Sequence, residues 1–402
     1  MIRLTRSQVQ PIGLDIGADS IRMLQLQVVD GALSVLAAAR RTRSGATEVE
    51  GTPTLQLGDI LRQMVRQNGF RGRRVVAALP REILHLKNLR LPCMPASELA
   101  NAVAFEAESI FPFDVAESTL HYIPAGEVRQ NNEIKQEVIV LAARNDDVEA
   151  FLEQLHYAGL IVESLDTEPT ALYRTVDRFV RRREDEQTVS VLVDIGYRRS
   201  QVIIGRGREI NLIKPIDIGG RHLHEAVSTK LGITSDEARA LRRRFESQNT
   251  EEPMDPVRQA VYDATRVVAE ELSREIALCL RYYTVTFRGH RPSNVRIVGG
   301  EACDASLIQQ LAAGLPIPVE AWRPLANVDT RRMKATDRRG GMCDWATAFG
   351  LALKFCQGGL ASQPPATATD RGTPRAPVAE VVDLNHAVQA QTPVMAGEVA
   401  HA

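Results

Sequence analysis

Two segments of this sequence repeat one local pattern: an apolar run, an Asp-x-Gly turn and a second apolar run. The first is PIGLDIGADSIRMLQL at residues 11–26, and the second is VSVLVDIGYRRSQVII at residues 189–204. Apolar runs on both sides of a glycine turn predict a strand–turn–strand hairpin. A single Asp-x-Gly is also typical of an ordinary hairpin turn. Two copies roughly 180 residues apart predict a duplicated domain whose halves share a cleft.

The turn residues suit a phosphate and its cation. A glycine turn lets backbone N–H groups converge on one anion, and a serine follows each turn. Asp15 and Asp194 each end a buried strand, where a carboxylate can hold hydrated Mg²⁺. Two such carboxylates facing each other are stable only with a cation between them; the alternative is two ordinary turn aspartates. The other candidate residues of the two turns are Gly17, Ser20, Gly196 and Ser200.

Two glycine pairs each open a predicted helix. Residues 295–300, VRIVGG, read as a strand and a di-glycine, and Glu301 and a helix-like segment at 305–313 follow. Gly219 and Gly220 open another helix, through residue 231. At such a junction the backbone can approach a ligand closely, and the helix N-terminus favours an anion.

Composition and charge narrow the class of protein. The 49 basic and 50 acidic residues nearly balance, which argues against a general nucleic-acid binder. The five cysteines form no C-x-x-C pair, a pattern typical of a reduced cytosolic protein. The N-terminus is too polar for a signal peptide, and no apolar run is long enough to span a bilayer. We therefore expect a cytoplasmic protein.

The three pieces, in this order, resemble the actin-like ATPase superfamily. Within it the sequence is similar to the PilM family of type IV pilus assembly proteins, relatives of the division protein FtsA. The resemblance extends over about residues 10–356. The most specific part of the resemblance is the segment VVAALPREILHLKNLRLPCMPASELANAVAFEAESIFPFDVAESTLHY. Three further segments match the family: VESLDTEPTALYR, IDIGGRHLHEAVSTKLGITSDEAR and IVGGEACDASLIQQLAAGLPIPVEAWRPL.

The resemblance implies an α/β fold with actin-like (ribonuclease H-like) duplicated domains around a nucleotide cleft and a small inserted α+β domain. The segment from about residue 357 is rich in Ala, Pro, Thr and Gly, which predicts a disordered C-terminal tail. The inserted segment reads β-β-α-β-β-α-β, with an exposed charged linker at 127–136. The expected units are 10–74 (opening segment of the first half), 75–165 (inserted domain), 166–187 (connecting helix that returns to the first half), 188–356 (second half) and 357–402 (disordered tail).

The resemblance also assigns roles around ATP and Mg²⁺. The two hairpins become phosphate loops, with Asp15 and Asp194 as metal ligands. Arg22 stands where many members have a phosphate-contacting lysine, or it lies on the outer strand. Glu168 positions a water near the γ-phosphate, or it only starts a helix. Gly299, Gly300 and Glu301 would pack against the adenosine, and Glu237 and Arg242 match the helix that brackets the nucleoside in the family. Gly219 and Gly220 are further candidates for binding the cofactor.

Both hairpin turns depart from the family pattern. Asp19 adds a negative charge beside the presumed anion, which costs binding unless it points away. In the second turn Tyr197, Arg198 and Arg199 stand where small residues are common; the arginines can serve the phosphates, whereas Tyr197 can obstruct them. We therefore expect ATP binding with weak or absent ATPase activity.

The implied function is that of a cytoplasmic assembly protein of a type IV pilus or related secretion machine. It would dock the cytoplasmic N-terminal tail of a PilN-like inner-membrane protein, with self-association possible, and contact the membrane only through partners. One alternative is an FtsA-like division or filament protein, which the missing amphipathic C-terminal anchor disfavours. The other is a sugar-kinase-like enzyme, for which no Asp base is evident in a substrate loop.

Overall fold

The computed structural model describes most of the chain up to residue 356, and the predicted disordered tail at 357–402 lies outside the described residues. No helix within the described part is long and apolar enough to cross a membrane. The described ranges are 7–43, 57–130, 133–246, 255–287 and 291–356.

The first half is built on a five-stranded sheet with the order β3-β2-β1-β4-β8. Strands β1 to β3 form an antiparallel meander, while β4 and β8 run parallel to β1. Helices α1 and α3 cover one face of this sheet through Leu61, Phe151 and Leu155. The bounds are β1 (Ser7–Ile16), β2 (Ser20–Val29), β3 (Ala32–Thr42), α1 (Leu57–Gln67), β4 (Arg74–Ala78), α3 (Asn145–Tyr157) and β8 (Ile161–Asp166).

The second half is built on another five-stranded sheet, ordered β11-β10-β9-β12-β13. Strands β9 to β11 form the antiparallel meander, and β12 and β13 run parallel to β9. Helices α5, α7 and α8 bury one face with Leu223, Ile276 and Leu307, and α6 packs beside α5. The bounds are β9 (Val189–Ile195), β10 (Ser200–Arg206), β11 (Glu209–Ile216), α5 (Gly220–Leu231), α6 (Ser235–Phe245), α7 (Pro256–Phe287), β12 (Val295–Val298), α8 (Ala305–Gly314) and β13 (Val319–Ala321).

The two sheets therefore have the same topology, since the first hairpin and its two parallel strands recur in the same order in the second sheet. This confirms the duplication that the repeated hairpin pattern predicts. Helix α4 (Glu168–Asp177) lies between the halves, where Leu172 and Tyr173 pack against Leu192 and Ile203 of the second sheet. The cleft lies between the two halves, where the turns of the two hairpins approach each other.

The inserted unit is smaller than the predicted segment 75–165. Strands β4 and β8 and helix α3 belong to the first sheet and its core, because the parallel pairing of β4 with β1 and of β8 with β4 draws both ends of the segment into that sheet. Only a three-stranded sheet, β5-β7-β6, and its covering helix stand apart. The predicted order β-β-α-β-β-α-β is correct. The bounds are β5 (His85–Pro92), α2 (Ala96–Ile110), β6 (Ser118–Gln130) and β7 (Glu133–Arg144).

The segment 127–136, predicted as an exposed charged linker, belongs to two paired strands instead, although Glu127, Arg129 and Glu133 are exposed as predicted. Strands β6 and β7 continue as one long hairpin on either side of residues 131–132, which lie outside the described residues. Val128 and Ala125 are buried, and the Ala125 carbonyl accepts a hydrogen bond from Asn211 Nδ2 at 2.7 Å. Strand β6 rests against β11 of the second half.

Helix α9 (Ala346–Ala352) belongs to the first half in space, although the predicted second half extends to residue 356. It packs on β1, β2 and α4. Phe349 and Trp345 are fully buried with Leu24 and Leu26 of β2. The chain therefore returns to the first sheet after completing the second, because only that apolar face remains to be covered.

Candidate functional site

The turns of the two hairpins face one cavity between the halves, of about 460 Å³. The turns have the same geometry, since the Gly17 N–H donates to the Ser20 carbonyl at 3.1 Å and the Gly196 N–H donates to the Arg199 carbonyl at 3.1 Å. The di-glycine turn after β12 forms a third wall. Ligand pockets commonly enclose about 300–1,000 Å³, so this cavity can hold a nucleotide-sized molecule.

The structure brings most of the predicted site residues to this cavity and leaves the rest outside its lining. Those outside are Ser200, Gly219, Gly220, Glu237 and Arg242. Those that line it are Asp15, Gly17, Ser20, Arg22, Glu168, Asp194, Gly196, Gly299, Gly300 and Glu301.

Asp15 lies opposite Arg22 in the register of β1 and β2. The Arg22 Nη1 atom is 3.5 Å from Asp15 Oδ2, and its Nη2 atom is 3.5 Å from Asp344 Oδ2. Burial raises the pKa of Asp15 to about 6, although Arg22 acts in the opposite direction. Arg22 lines the cavity. Within the part of the chain that the structure describes, its buried Nε atom has no hydrogen-bond partner. A buried donor without a partner can bind an added anion.

Arg81, which is absent from the predicted site residues, joins the two halves at the centre of the cleft. Its Nη2 donates to Glu168 Oε1 at 2.6 Å and also to Asp194 Oδ2, and its Nε donates to Glu168 Oε2. Burial acts to raise the pKa of Glu168, but Arg81 outweighs it and holds that pKa below its usual value. Burial and the neighbouring Glu168 raise the pKa of Asp194 to about 7. Glu168 is therefore an ionised carboxylate whose two oxygens are occupied by Arg81.

Asp19 does not leave an uncompensated charge beside the cavity. Its carboxylate pairs with Arg239 and lies 3.9 Å from Arg243 Nη2; both arginines are on α6. The negative charge that departs from the family pattern is thus neutralised across the cleft, from the second half.

Three arginines surround the buried carboxylate of Asp344, just before α9. Arg40 Nη1 lies at 2.9 Å, Arg22 Nη2 at 3.5 Å and Arg339 Nη2 at 4.0 Å from its Oδ2 atom. Burial and the neighbouring guanidinium of Arg22 lower the pKa of Arg40. Arg22 also pairs with Asp15, and Arg339 pairs with Glu246 at 3.0 Å, so three arginines are shared among three carboxylates at this end of the cavity. Their guanidinium groups line the cavity and can donate to an anion.

The turn after β12 is shaped by Gly299, which has a φ of 96°. A side chain there would meet Asp194 Oδ1 at 2.4 Å, so only glycine lets the turn pass beside the second hairpin. The next residues, Gly300 and Glu301, line the cavity. Glu301 is held by Arg242, whose Nη1 lies 2.8 Å from its carboxylate.

The predicted residues outside the cavity lining have other partners. Ser200 Oγ donates to the Ile218 carbonyl at 2.6 Å. Glu237 closes a capping box with Thr234 at the start of α6. The Gly220 N–H donates to the Gly196 carbonyl at 2.9 Å, so this helix start supports the second turn. Arg242 is buried between Glu301 and Asp304. These residues support the turns and helix starts around the cavity, and their contact with a nucleotide stays a prediction.

The residues present suit Mg²⁺ with a triphosphate better than Mg²⁺ alone. Asp15 and Asp194 supply the hard oxygen donors that Mg²⁺ prefers. Within the described ranges, however, no three His, Cys, Asp or Glu side chains converge as a metal cluster. Mg²⁺ is usually held by one or two carboxylates together with substrate phosphates and water, and this donor set fits that arrangement.

A sequence signal for Arg81 did exist. Residues 75–79, VVAAL, are recognisable as a buried strand, and Arg81 follows directly after Pro80. In open α/β sheets, ligands bind beyond the carboxyl ends of parallel strands. The local pattern does not reveal that this strand pairs with β1, so it does not place the end of the strand beside Asp15.

A family model described as type IV pilus assembly protein PilM matches residues 13–356. Among solved structures, the PilM–PilN type IV pilus biogenesis complex contains a chain that is 25% identical, with a TM-score of 0.70 and coverage of 88% of this chain and 99% of that one. The ethanolamine utilization protein EutJ from Carboxydothermus hydrogenoformans is 15% identical, with a TM-score of 0.51 and coverage of 86% and 89%. Together with the duplicated sheets, these likenesses confirm the predicted actin-like fold.

Proposed function

Because the chain belongs to the family of the type IV pilus assembly protein PilM, we propose that it binds ATP in its cleft and docks the cytoplasmic tail of an inner-membrane component. In this role it is a cytoplasmic assembly protein of a type IV pilus or a related secretion machine. It reaches the inner membrane through that partner.

The convergence of three loops on one cavity carries the ATP-binding proposal. The two hairpin turns approach each other from opposite halves, and the di-glycine turn closes the third side. Each loop offers backbone N–H groups or a glycine at the cavity wall, as phosphate sites require. The guanidinium groups of Arg22, Arg40 and Arg339 line the same cavity and can donate charge-assisted hydrogen bonds to a triphosphate.

In the proposed complex the hairpin turns hold the phosphates, and Asp15 and Asp194 hold Mg²⁺. The turn at Gly299 and Gly300 packs against the adenosine. Bound Mg²⁺ would neutralise phosphate charge between the two carboxylates. Glu168 is the candidate for positioning a water, but Arg81 occupies both of its oxygens. We therefore expect weak or absent ATP hydrolysis.

The partner proposal rests on the inserted unit. The PilM–PilN complex shows that the related chain assembles with PilN, and we propose a PilN-like N-terminal tail as the partner here. Strand β5 is an edge of the three-stranded sheet, and an extended peptide can add a strand to such an edge. The other edge, β6, already rests against β11 of the second half, so β5 is the favoured side.

Calorimetric titration with Mg²⁺-ATP tests the nucleotide proposal. We expect micromolar binding by the wild type and an affinity at least about tenfold weaker in Asp15→Ala, since a metal-site carboxylate is lost. The matched control is Asp146→Ala, because Asp146 is exposed and pairs only with Arg144 at 3.4 Å. Absence of binding by the wild type, or equal loss in both variants, would contradict the proposal.

Fluorescence anisotropy with a labelled peptide tests the partner proposal. The peptide carries the N-terminal tail of the PilN-like protein, and a scrambled peptide of the same composition is the control. We expect saturable binding that Asn88→Pro in β5 abolishes, whereas Asn88→Ala, which keeps the backbone N–H, has little effect. Circular dichroism of Asn88→Pro checks that this variant folds. Equal binding of the scrambled peptide would refute a specific dock.

A further inference from the structure

The guanidinium of Arg81 occupies the space between two carboxylates from opposite halves. Glu168 begins α4, and Asp194 lies in β9 of the second half. Arg81 Nη2 donates to both, at 2.6 Å to Glu168 Oε1. Each carboxylate side chain is largely buried, with exposed fractions of 16% and 6%. Burying two carboxylates side by side is costly unless a cation lies between them.

Arg81 is the cation that supports this pair. Among the ion pairs of the described residues, Arg81 pairs with both Glu168 and Asp194, and neither carboxylate has a second cationic partner. Asp15, the third carboxylate of the cleft, is paired with Arg22 instead. Asp194 Oδ2, the oxygen that Arg81 contacts, also accepts a long hydrogen bond from Gln201 Nε2 at 3.4 Å. One of the two carboxylate oxygens of Asp194 is therefore already committed to protein donors.

We propose that Arg81 is a built-in counter-cation of the cleft, which competes with divalent cations for Asp194 and so excludes a cation that arrives without a nucleotide. The proposal rests on the proposed function for the identity of the nucleotide, but the competition itself involves only the protein and the cation. A divalent cation approaching Asp194 meets the repulsion of Arg81 and must displace a guanidinium that donates from two nitrogens.

A nucleotide changes this balance because its phosphates offer Arg81 new acceptors. Arg81 lines the same cavity as the two hairpin turns, and a guanidinium binds phosphate oxygens as readily as carboxylates. Arg81 can then turn from Asp194 towards the phosphates while its Nε still donates to Glu168, and the cation takes its place beside Asp194. Cation and nucleotide therefore enter together, and Arg81 is a positioning and selectivity residue for their joint entry.

Titration with Mn²⁺ alone, followed by electron paramagnetic resonance at pH 8, tests the competition. We expect Arg81→Gln to bind Mn²⁺ roughly tenfold more tightly than the wild type, because two carboxylates lose their counter-cation. Arg81→Lys keeps the charge but cannot bridge both carboxylates, so its affinity should lie between the two. The matched control is Arg198→Gln, which removes one positive charge from the same cavity but whose ion pair is with the exposed Glu82.

The outcomes separate this proposal from ATP binding. The proposal is supported if the Arg81 variants bind Mn²⁺ more tightly than both the wild type and Arg198→Gln. This result does not depend on whether the wild type binds ATP. Equal affinities in the wild type and the Arg81 variants, or an equal gain in Arg198→Gln, overturn it. If Arg81→Gln does not fold, as circular dichroism will show, the comparison of Arg81→Lys with the wild type decides.

Discussion

The guanidinium of Arg242, on α6, lies 2.8 Å from the carboxylate of Glu301, on the turn after β12. Its Nη2 atom also lies 3.0 Å from Asp304 Oδ2, and Asp304 in turn caps α8 by accepting hydrogen bonds from two backbone N–H groups. One buried arginine therefore fixes the position of α6, the cavity turn and the start of α8 relative to one another.

Loss of this arginine should destabilise the second half. We expect Arg242→Ala to lower the free energy of unfolding by about 3–5 kcal/mol, because it leaves two mostly buried carboxylates without their cation. Urea unfolding followed by circular dichroism measures the change. Arg244→Ala is the control, since Arg244 is exposed on the same helix and should change stability by less than about 0.5 kcal/mol. Similar losses in both variants would contradict this account.

Asp15 and Asp19 provide a charge-matched pair within the first hairpin turn. Asp15→Asn should weaken Mg²⁺-ATP binding by at least about tenfold, because a metal ligand is lost. Asp19→Asn should leave the affinity unchanged or raise it a few-fold, because it frees Arg239 and Arg243 to meet the phosphates. Calorimetry on both variants distinguishes the two roles. A shift of both affinities in the same direction would show that net charge alone governs binding.

Asp177 should make stability depend on pH. Burial raises its folded pKa to about 6, above the ordinary value of 3.8, and its buried Oδ1 atom has no hydrogen-bond partner. A folded pKa above the ordinary value means that the folded protein holds the proton more tightly, so protonation of Asp177 stabilises the fold. This contribution to the free energy of unfolding is complete below pH 3.8 and is lost as the pH rises through 6.

We therefore expect Asp177→Asn to stabilise the protein by about 1–3 kcal/mol at pH 8. The gain should shrink as the pH falls from 6 towards 4, as chemical unfolding at several pH values will show. A gain that does not depend on pH would mean that the titration of Asp177 is not its cause. Asp185→Asn is a suitable contrast, because backbone hydrogen bonds from Arg181 and Arg182 lower the pKa of Asp185.

The hairpins could be predicted because their signal is local. An apolar run, a glycine turn and a second apolar run specify β1–β2 and β9–β10 without knowledge of any other segment, and their repetition predicted the duplicated sheets. The order of elements within 75–165 was predicted for the same reason.

The domain boundaries and the centre of the site depend on contacts between distant segments. The periodicity of β4 and β8 is that of any buried strand, and only their parallel pairing with the first sheet assigns them to it. Helix α9 returns to the first half for a similar reason. Arg81 becomes a site residue because three segments, at 81, 168 and 194, meet in space. No local pattern contains that meeting.

The most direct test of the central claim is hydrogen exchange measured by mass spectrometry on the wild-type protein, with and without Mg²⁺-ATP. We predict that the nucleotide protects backbone amides in the two hairpin turns, at 16–20 and 196–200, and in the turn at 299–303. Peptides from the outer helices α1 and α3 should be unchanged. Unchanged exchange at all three turns under saturating Mg²⁺-ATP, or protection confined to other segments, would contradict a nucleotide site in this cleft.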